Sequence, residues 1–308
     1  MKKSFRSDGR EFEVFSGHES FVCRYGWLPK LYEAVVSNPD VFADDDWAIV
    51  TLGIGKNMVK SIRFWGHAFS LTESAKNRKG GTVPTDFARK LLDPRTGNDP
   101  YLEDASSLWR LHWMVTTRSG LGAWAGAFLD LHETEVTKEM FVEMIQRRAV
   151  TARGAVMPST IVQHADIFLR TYDAGAMTAE AVLEDSLGCP LQELALLDVR
   201  DVGGQTVLRF RRGPKPELDV GSFAFAVAEF WRATDVGSRT VSLRSLMLDR
   251  KSPGAVFRLD EASMHVLLDR LCSRLKGFAI REDGAGGVDL VCSSPAPPYT
   301  RLEQFAWQ

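Results

Sequence analysis

The stretch KNMVKSIRFWGHAFSL, residues 56–71, has the clearest helical pattern in the chain. At 100° per residue, its apolar side chains fall within one arc of a helix, and its basic and small polar side chains fall within the opposite arc. The apolar arc contains Met58, Val59, Ile62, Trp65 and Phe69. The polar arc contains Lys56, Lys60, Arg63, His67 and Ser70. The pattern predicts an amphipathic helix with one buried face and one cationic face.

The segments around this helix predict a winged helix-turn-helix. Residues 27–38 and 44–52 have helical patterns, and the short turn Gly53-Ile54-Gly55 separates the second from the helix at 56–71. Residues 72–85 contain a Gly80-Gly81 pair between two short strand-like pieces, which is typical of a hairpin, and a further helix follows. Three helices followed by a basic hairpin is the order of elements in a winged helix.

The rest of the chain predicts a helix-dominated α+β protein in two regions. We expect residues 1–135 to form the winged-helix region with its associated helices, including tryptophan-rich buried helices at 106–117 and 121–132. Residues 136–308 are predicted to be mainly helical with short hairpins, among them a strand at 206–213 and a hairpin around 284–287. The last helix and hairpin allow a second winged-helix-like unit as one interpretation.

Charge is distributed unevenly along the sequence. The 308 residues contain 38 Lys and Arg against 40 Asp and Glu, which gives a net charge of -2 and no overall basic character. Between Lys56 and Arg95, however, nine basic residues face three acidic ones, a local charge of +6. Any nucleic-acid site is therefore expected in this segment.

The residues that open the cationic helix suggest phosphate contacts. The sequence LGIGKN is not a P-loop, because that motif requires Gly at position 50 and Ser or Thr at position 57, where this chain has Val50 and Asn57. Gly55, Lys56 and Asn57 are instead predicted to hold a DNA phosphate at a helix N-terminus. Asn57, Lys60 and Arg63 are the side chains predicted to reach base edges. The further predicted DNA contacts are His67, Lys76, Arg78 and Lys79. The alternatives are a solvated face without a ligand, and pairing of Arg63 and His67 with nearby carboxylates.

A group of carboxylates at 99–104 is the first candidate for catalysis. Asp99, Glu103 and Asp104 lie within six residues, and Mg²⁺-assisted phosphodiester cleavage requires carboxylates that converge on a hard cation. The alternative is that Asp104 caps the following helix and the other two are solvated. His18 and Glu19 are the second candidate, as a general base with its orienting group or as metal ligands, with helix capping near Ser20 as the alternative.

Several classes of protein are disfavoured. The four cysteines are scattered, which argues against a zinc site or a disulfide framework and predicts reduced thiols. The first residues lack the apolar core of a signal peptide, and no stretch approaches the roughly 20 apolar residues of a membrane span. We therefore expect a cytoplasmic protein that acts on a soluble partner.

Five blocks of sequence, in order along the chain, resemble a bacterial family. They are SGHESFVCRYGWLPK (16–30), LGIGKNMVKSIRFW (52–65), DPYLEDASSLWRLHW (99–113), TYDAGAMTAEAVLEDSLGCPL (171–191) and SPGAVFRLDE (252–261). The family was long catalogued as uncharacterised and is encoded in DNA phosphorothioate-modification and phage-defence clusters. Its SspB-like members are associated with DNA nicking, beside a cysteine desulfurase, an ATPase and a sulfur-transfer protein of the ATP-pyrophosphatase type. The resemblance assigns no catalytic residue.

Two functions are consistent with these observations. The first is a metal-dependent nickase, which uses Mg²⁺ or Mn²⁺, binds double-stranded DNA through the cationic helix and hairpin, and opens one strand for sulfur incorporation. The second is a non-catalytic DNA-binding module that recruits the other phosphorothioation proteins. Nicking of a supercoiled plasmid distinguishes them.

Overall fold

Helix α3 (Lys56–Ala68) has the orientation that its sequence pattern predicts. In the computed structural model, which describes residues 13–76, 80–151, 154–173, 175, 188–282 and 286–308, Val59, Ile62 and Trp65 are buried. The helix ends at Ala68 rather than at residue 71. Ser70 adopts a left-handed conformation with φ of 56°, and the Leu71 N–H turns back to the Gly66 carbonyl, so the chain leaves the helix before strand β1.

The elements around α3 occur in the predicted order. They are α1 (Trp27–Ser37), α2 (Asp45–Leu52), β1 (Thr72–Ser74), β2 (Thr82–Pro84) and α4 (Asp86–Leu92). Strands β1 and β2 pair antiparallel as the predicted hairpin. Helix α2 begins one residue later than predicted, because the Asp44 carboxylate caps it by accepting from the N–H groups of Asp46 and Trp47. Gly53 ends α2 with φ of 62°, the left-handed conformation that glycine adopts without strain.

The described residues in the middle of the chain form further helices and a three-stranded sheet. The elements are α5 (Ala105–Arg118), α6 (Gly122–Ala125), β3 (Glu135–Thr137), α7 (Lys138–Arg148), β4 (Val150–Thr151), β5 (Gly154–Ala155), α8 (Pro158–Tyr172), β6 (Leu197–Val202) and β7 (Gln205–Phe210). The sheet has the order β3-β7-β6 and is antiparallel throughout, while β4 and β5 pair separately. The single helix predicted at 121–132 is wrong: α6 is one turn long and continues as the π-helical turn Gly126–Asp130.

The last part of the chain again combines helices with a three-stranded sheet. Its elements are α9 (Val220–Thr234), β8 (Thr240–Ser242), α10 (Leu243–Leu248), α11 (Pro253–Val256), α12 (Glu261–Arg274), β9 (Phe278–Glu282), β10 (Val288–Cys292) and α13 (Pro298–Ala306). The sheet has the order β8-β10-β9. The predicted strand at 206–213 and the predicted hairpin near 284–287 correspond to β7 and to β9–β10, although residues 283–285 lie outside the described part of the chain.

The helix-rich α+β class is confirmed, and its elements share one hydrophobic core. The cluster of buried residues runs from Phe15 to Ala306 and includes five tryptophans that are almost fully enclosed. These are Trp65, Trp109, Trp113, Trp124 and Trp231, each at most 2% exposed. The division of the chain after residue 135 and the winged-helix assignment stay predictions. Within the described residues, no helix is both long and apolar enough to span a membrane.

Candidate nucleic-acid interface and carboxylate cavity

The cationic face of α3 is exposed to solvent. Lys56, Asn57, Lys60, Arg63 and His67 are all exposed, whereas the opposite side of the helix packs into the core. The amphipathic pattern therefore places these side chains on one accessible surface, which we call the α3 surface. Helix α3 follows α2 directly through the Gly53–Gly55 turn, so its N-terminal amide groups are also near this surface.

The start of α3 contains one ion pair. Lys56 Nζ lies 3.3 Å from the carboxylate of Asp45 on α2, and both side chains are at least half exposed. Exposed pairs of this kind contribute at most about 1 kcal/mol, so a phosphate group can compete for Lys56. Gly55 precedes the helix in an extended conformation and makes no side-chain cap. The N-terminal N–H groups of α3 are thus available to an anion.

The remaining basic side chains of the α3 surface do not pair with carboxylates of the described residues. The Arg63 guanidinium lies over the Phe42 ring, 5.5 Å from its centroid, and His67 Nδ1 lies 3.4 Å from the Thr72 carbonyl oxygen. No carboxylate in the described part of the chain is within 4.0 Å of Lys60, Arg63 or His67. The alternative in which Arg63 and His67 are held by nearby carboxylates is therefore not what the structure shows.

The β1–β2 hairpin carries the rest of the predicted DNA contacts. Lys76 is exposed just beyond β1. Arg78 and Lys79 are also predicted to contact DNA, but both lie outside the described residues. Of the basic residues predicted in this hairpin, Lys76 is the one among the described residues, and it follows β1, the strand that comes directly after α3.

Two of the carboxylates predicted to be catalytic line a common cavity. The cavity has a volume of about 330 Å³ and is lined in part by Asp99, Asp104, Arg110, Asp219 and Arg274. It lies where the N-termini of α5 and α9 meet. The third predicted carboxylate, Glu103, is exposed and does not line it. The structure thus brings Asp99 and Asp104 together and adds Asp219.

Each carboxylate of the cavity already accepts backbone hydrogen bonds. Asp99 accepts from the N–H groups of Glu103 and Asp104, at 2.9 and 3.0 Å. Asp104 caps α5 through the Ser106 N–H, and Asp219 caps α9 through the N–H groups of Gly221 and Ser222. The capping alternative for Asp104 is therefore observed. Capping does not exclude a second ligand, since a carboxylate offers about four lone-pair sites.

Arg110 is a buried cation that lines the cavity beside these carboxylates. It donates from Nη2 to the Ala306 carbonyl at 2.8 Å, and its guanidinium lies 4.6 Å from the centroid of the Trp307 ring. Burial lowers the pKa of the guanidinium, while Asp219, Asp104 and Asp99 act in the opposite direction. Its charge offsets part of the negative charge of the cavity.

The described residues form no ready-made metal centre. No group of three or more His, Cys, Asp or Glu side chains in the described part of the chain is placed to hold a metal ion. Mg²⁺ commonly keeps several water ligands and uses only one or two carboxylates together with substrate phosphates. Without a substrate phosphate, the carboxylates of the cavity therefore do not form a complete metal site on their own.

His18 and Glu19 lie in different environments. His18 is 2% exposed and its Nε2 lies 3.3 Å from Nδ1 of His164 on α8, whereas Glu19 is exposed and has φ of 49°. The backbone N–H of Ser20 donates to His18 Nδ1 and that of Ala123 donates to His164 Nε2, so each ring has a backbone partner on the nitrogen that faces away from the other histidine. Burial lowers the pKa of His18 to about 4 and that of His164 to about 3. A buried, neutral His18 does not contact solvent as a general base would.

Sequence reasoning missed three residues of these sites. Asp219 precedes the apolar run of α9, which is the typical position of an N-cap, so its signal is present in the sequence. Arg110 is a buried cation within a tryptophan-rich helix, and His164 lies 146 residues from its partner His18. No local pattern indicates either contact.

Comparisons with known proteins agree with this fold. A family model described as "Protein of unknown function (DUF4007)" matches residues 15–297, and the chain belongs to this family. Two solved structures are similar over nearly the whole chain. "Magnesium ion-bound SspB crystal structure" is 30% identical, with 95% of this chain and 86% of that chain covered and a TM-score of 0.84. "SspB crystal structure" is 32% identical with the same coverage and a TM-score of 0.82. No curated protein matches the chain. The resemblance to SspB-like proteins is confirmed.

Proposed function

We propose that the chain is a DNA-binding component of a DNA phosphorothioation system and that it binds double-stranded DNA through the α3 surface. The observation that carries the proposal is the row of exposed basic side chains, Lys60, Arg63 and His67, on a helix whose other side is buried. Among the described residues, these side chains have no carboxylate partner. The similarity to SspB structures supports the phosphorothioation context. In this arrangement, α3 and the β1–β2 hairpin have the order and the charge of a winged helix-turn-helix.

The backbone contacts in this proposal are electrostatic. Lys56 and the N-terminal N–H groups of α3 bind phosphate oxygens, and Lys60 and Arg63 follow one and two turns along the same face. Asn57 has the amide that can pair with an adenine edge in the major groove. The contacts of Lys56, Lys60 and Arg63 imply no sequence preference, because phosphate contacts position a protein without reading bases.

Replacing the cations of α3 tests the DNA-binding proposal. The variant Lys56→Gln, Lys60→Gln and Arg63→Gln is expected to weaken duplex binding and to reduce the salt dependence of log K by about 0.9 for each phosphate that is no longer neutralised. Fluorescence anisotropy of a labelled duplex at several salt concentrations measures both quantities. Arg270→Gln, on the exposed side of α12, is the matched control. An unchanged slope in the triple variant would contradict the proposal.

We further propose that the protein nicks one strand of the bound DNA, with Asp99, Glu103 and Asp104 as the candidate carboxylates and His18 and Glu19 as second candidates. The cavity supports a role for Asp99 and Asp104, because both line it beside Arg110. A divalent cation, Mg²⁺ or Mn²⁺, would supply charge stabilisation at the phosphate. One similar SspB structure is described as magnesium-bound.

A supercoiled-plasmid assay separates nicking from recruitment. Wild type with Mg²⁺ or Mn²⁺ is expected to convert supercoiled plasmid to open circles, and the variant Asp99→Asn with Asp104→Asn, which keeps the capping geometry, is expected to lose most of this rate. Glu139→Gln, an exposed carboxylate of α7, is the control. Full activity in the double variant would remove the carboxylate assignment. If purified wild type binds DNA and does not nick it, the alternative of a non-catalytic module that recruits the cysteine desulfurase, the ATPase and the sulfur-transfer protein is favoured.

A further inference from the structure

A second group of cations lies far from α3 in sequence, on the hairpin of β6 and β7. Residues 197–215 contain Arg200, Arg209, Arg211, Arg212 and Lys215. The α3 surface does not include any of them. Their position on the sheet β3-β7-β6 determines what they can contact.

The strand register places three of these arginines on one face of the sheet. Arg209 lies directly opposite Asp198 across the β6–β7 ladder, and side chains of opposed residues share a face. Arg200 is two residues from Asp198, and Arg211 is two residues from Arg209, so both point to the same side. The other face is the core face, where Leu197, Leu208 and Phe210 are buried. Arg200, Arg209 and Arg211 therefore form an outward, exposed group, which we call the β6–β7 arginine face.

One mostly buried carboxylate organises the group. Arg211 binds Asp198 through Nε and Nη2, at 2.9 and 2.6 Å, and the Arg200 guanidinium is 3.7 Å from the same carboxylate. The Asp198 side chain is 14% exposed, whereas those of Arg200 and Arg211 are 58% and 49% exposed. The pKa of Asp198 is lowered, first by its hydrogen bond from Arg211 and then by the charges of Arg211, Arg200 and Arg209. Three guanidinium groups thus surround one carboxylate, and Arg209 forms no ion pair in the described part of the chain.

On the described strands of this sheet, one other carboxylate shares the outward face, that of Glu135 on β3. It is opposite Arg209 on the other side of β7 and is exposed. The face therefore has an excess of guanidinium over carboxylate, and guanidinium groups pair with phosphate oxygens in a bidentate geometry.

We propose that the β6–β7 arginine face is a second phosphate-binding surface, on which Arg200, Arg209 and Arg211 contact the phosphate backbone of duplex DNA. The proposal extends the proposed function and rests on it for the identity of the ligand.

The variant Arg200→Gln with Arg209→Gln tests this surface without breaking the bidentate pair of Arg211 and Asp198. The salt dependence of log K for a labelled duplex is expected to fall by about 0.9 for each arginine that neutralises a phosphate, which is about five-fold in affinity per arginine at roughly 0.15 M salt. Glu135→Gln should act in the opposite direction and raise the affinity by up to about five-fold, because it removes a negative charge from the face. A folding defect would weaken binding, so tighter binding by Glu135→Gln would identify an effect of charge. Arg270→Gln is the control and should match wild type.

The outcomes separate this proposal from the one for α3. If the Arg200 and Arg209 variant binds as wild type does while the α3 triple variant is impaired, the second surface is overturned and the proposed function stands. If the reverse is found, the β6–β7 face is supported and the α3 surface is overturned. If wild type binds no duplex DNA at any salt concentration, both are overturned.

Discussion

His112→Ala is expected to lower the free energy of unfolding by about 4 kcal/mol or more, the range for removing a large buried side chain together with its hydrogen bonds. His112 is fully buried on α5. Its Nε2 donates to the Val256 carbonyl at 2.9 Å, which fixes the tautomer, and its Nδ1 therefore accepts from the Tyr172 hydroxyl at 2.7 Å. The Tyr172 oxygen in turn accepts from Trp124 Nε1 at 3.1 Å.

The large effect follows from what these hydrogen bonds connect. His112 on α5, Trp124 on α6, Tyr172 on α8 and Val256 on α11 come from four separate elements, and each of the polar atoms that join them has a partner. Removing the imidazole leaves the Val256 carbonyl and the Tyr172 hydroxyl buried without their partner, in addition to a cavity beside Phe128 and Phe257.

Denaturant unfolding of the full chain measures this effect. Tyr172→Phe keeps the ring and removes only the hydroxyl, so we expect a smaller loss of about 1–3 kcal/mol. His265→Ala, on the partly exposed side of α12, should change the free energy of unfolding by less than about 0.5 kcal/mol. A decrease below about 1 kcal/mol for His112→Ala would show that these hydrogen bonds do not support the core.

The candidate DNA-binding helix can be predicted from sequence because its signals are local. The 3.6-residue periodicity of α3, the glycines that precede it and the Asp44 cap of α2 act within one or two turns of the chain. Exposure of Lys60 and Arg63 follows directly from burial of Ile62 and Trp65 on the other side of the helix. The predicted end of α3 is three residues too late because Ser70, which has no glycine-like preference, adopts the left-handed conformation there.

The two further sites depend on contacts that no local pattern contains. Strand β7 lies between β3 and β6, and β3 comes from about 70 residues earlier in the chain. The sequence indicates the alternation of β7 and the run of arginines, but only the register shows that Arg200 and Arg209 share a face with Asp198. Likewise, the cavity forms because α5 and α9 begin beside one another, which places Asp219 next to the predicted carboxylates Asp99 and Asp104.

The fold is expected to lose stability steeply as the pH falls from about 6.5 to 4. His18, His112 and His164 are buried, and burial lowers their pKa values to about 4, 4 and 3 from an ordinary 6.5. A histidine whose pKa is lower in the folded state contributes stability above its unfolded pKa and loses that contribution as the pH falls, because the unfolded chain takes up the proton first. Each such histidine lowers the free energy of unfolding by about 1.4 kcal/mol for every pH unit by which the pH falls in this window.

Three histidines together give an upper estimate of about 6 kcal/mol of destabilisation between pH 6.5 and pH 5, out of the roughly 5–15 kcal/mol that is usual for a folded domain. Denaturant unfolding at a series of pH values measures the slope. His164→Gln removes one of the three groups and interrupts the contact with His18, so its stability should depend less steeply on pH between 6.5 and 5, even though it is lower at pH 7. His265→Gln, which removes a partly exposed histidine, should leave the slope unchanged. A wild-type stability that stays constant over this window would show that the three histidines are not held neutral in the core.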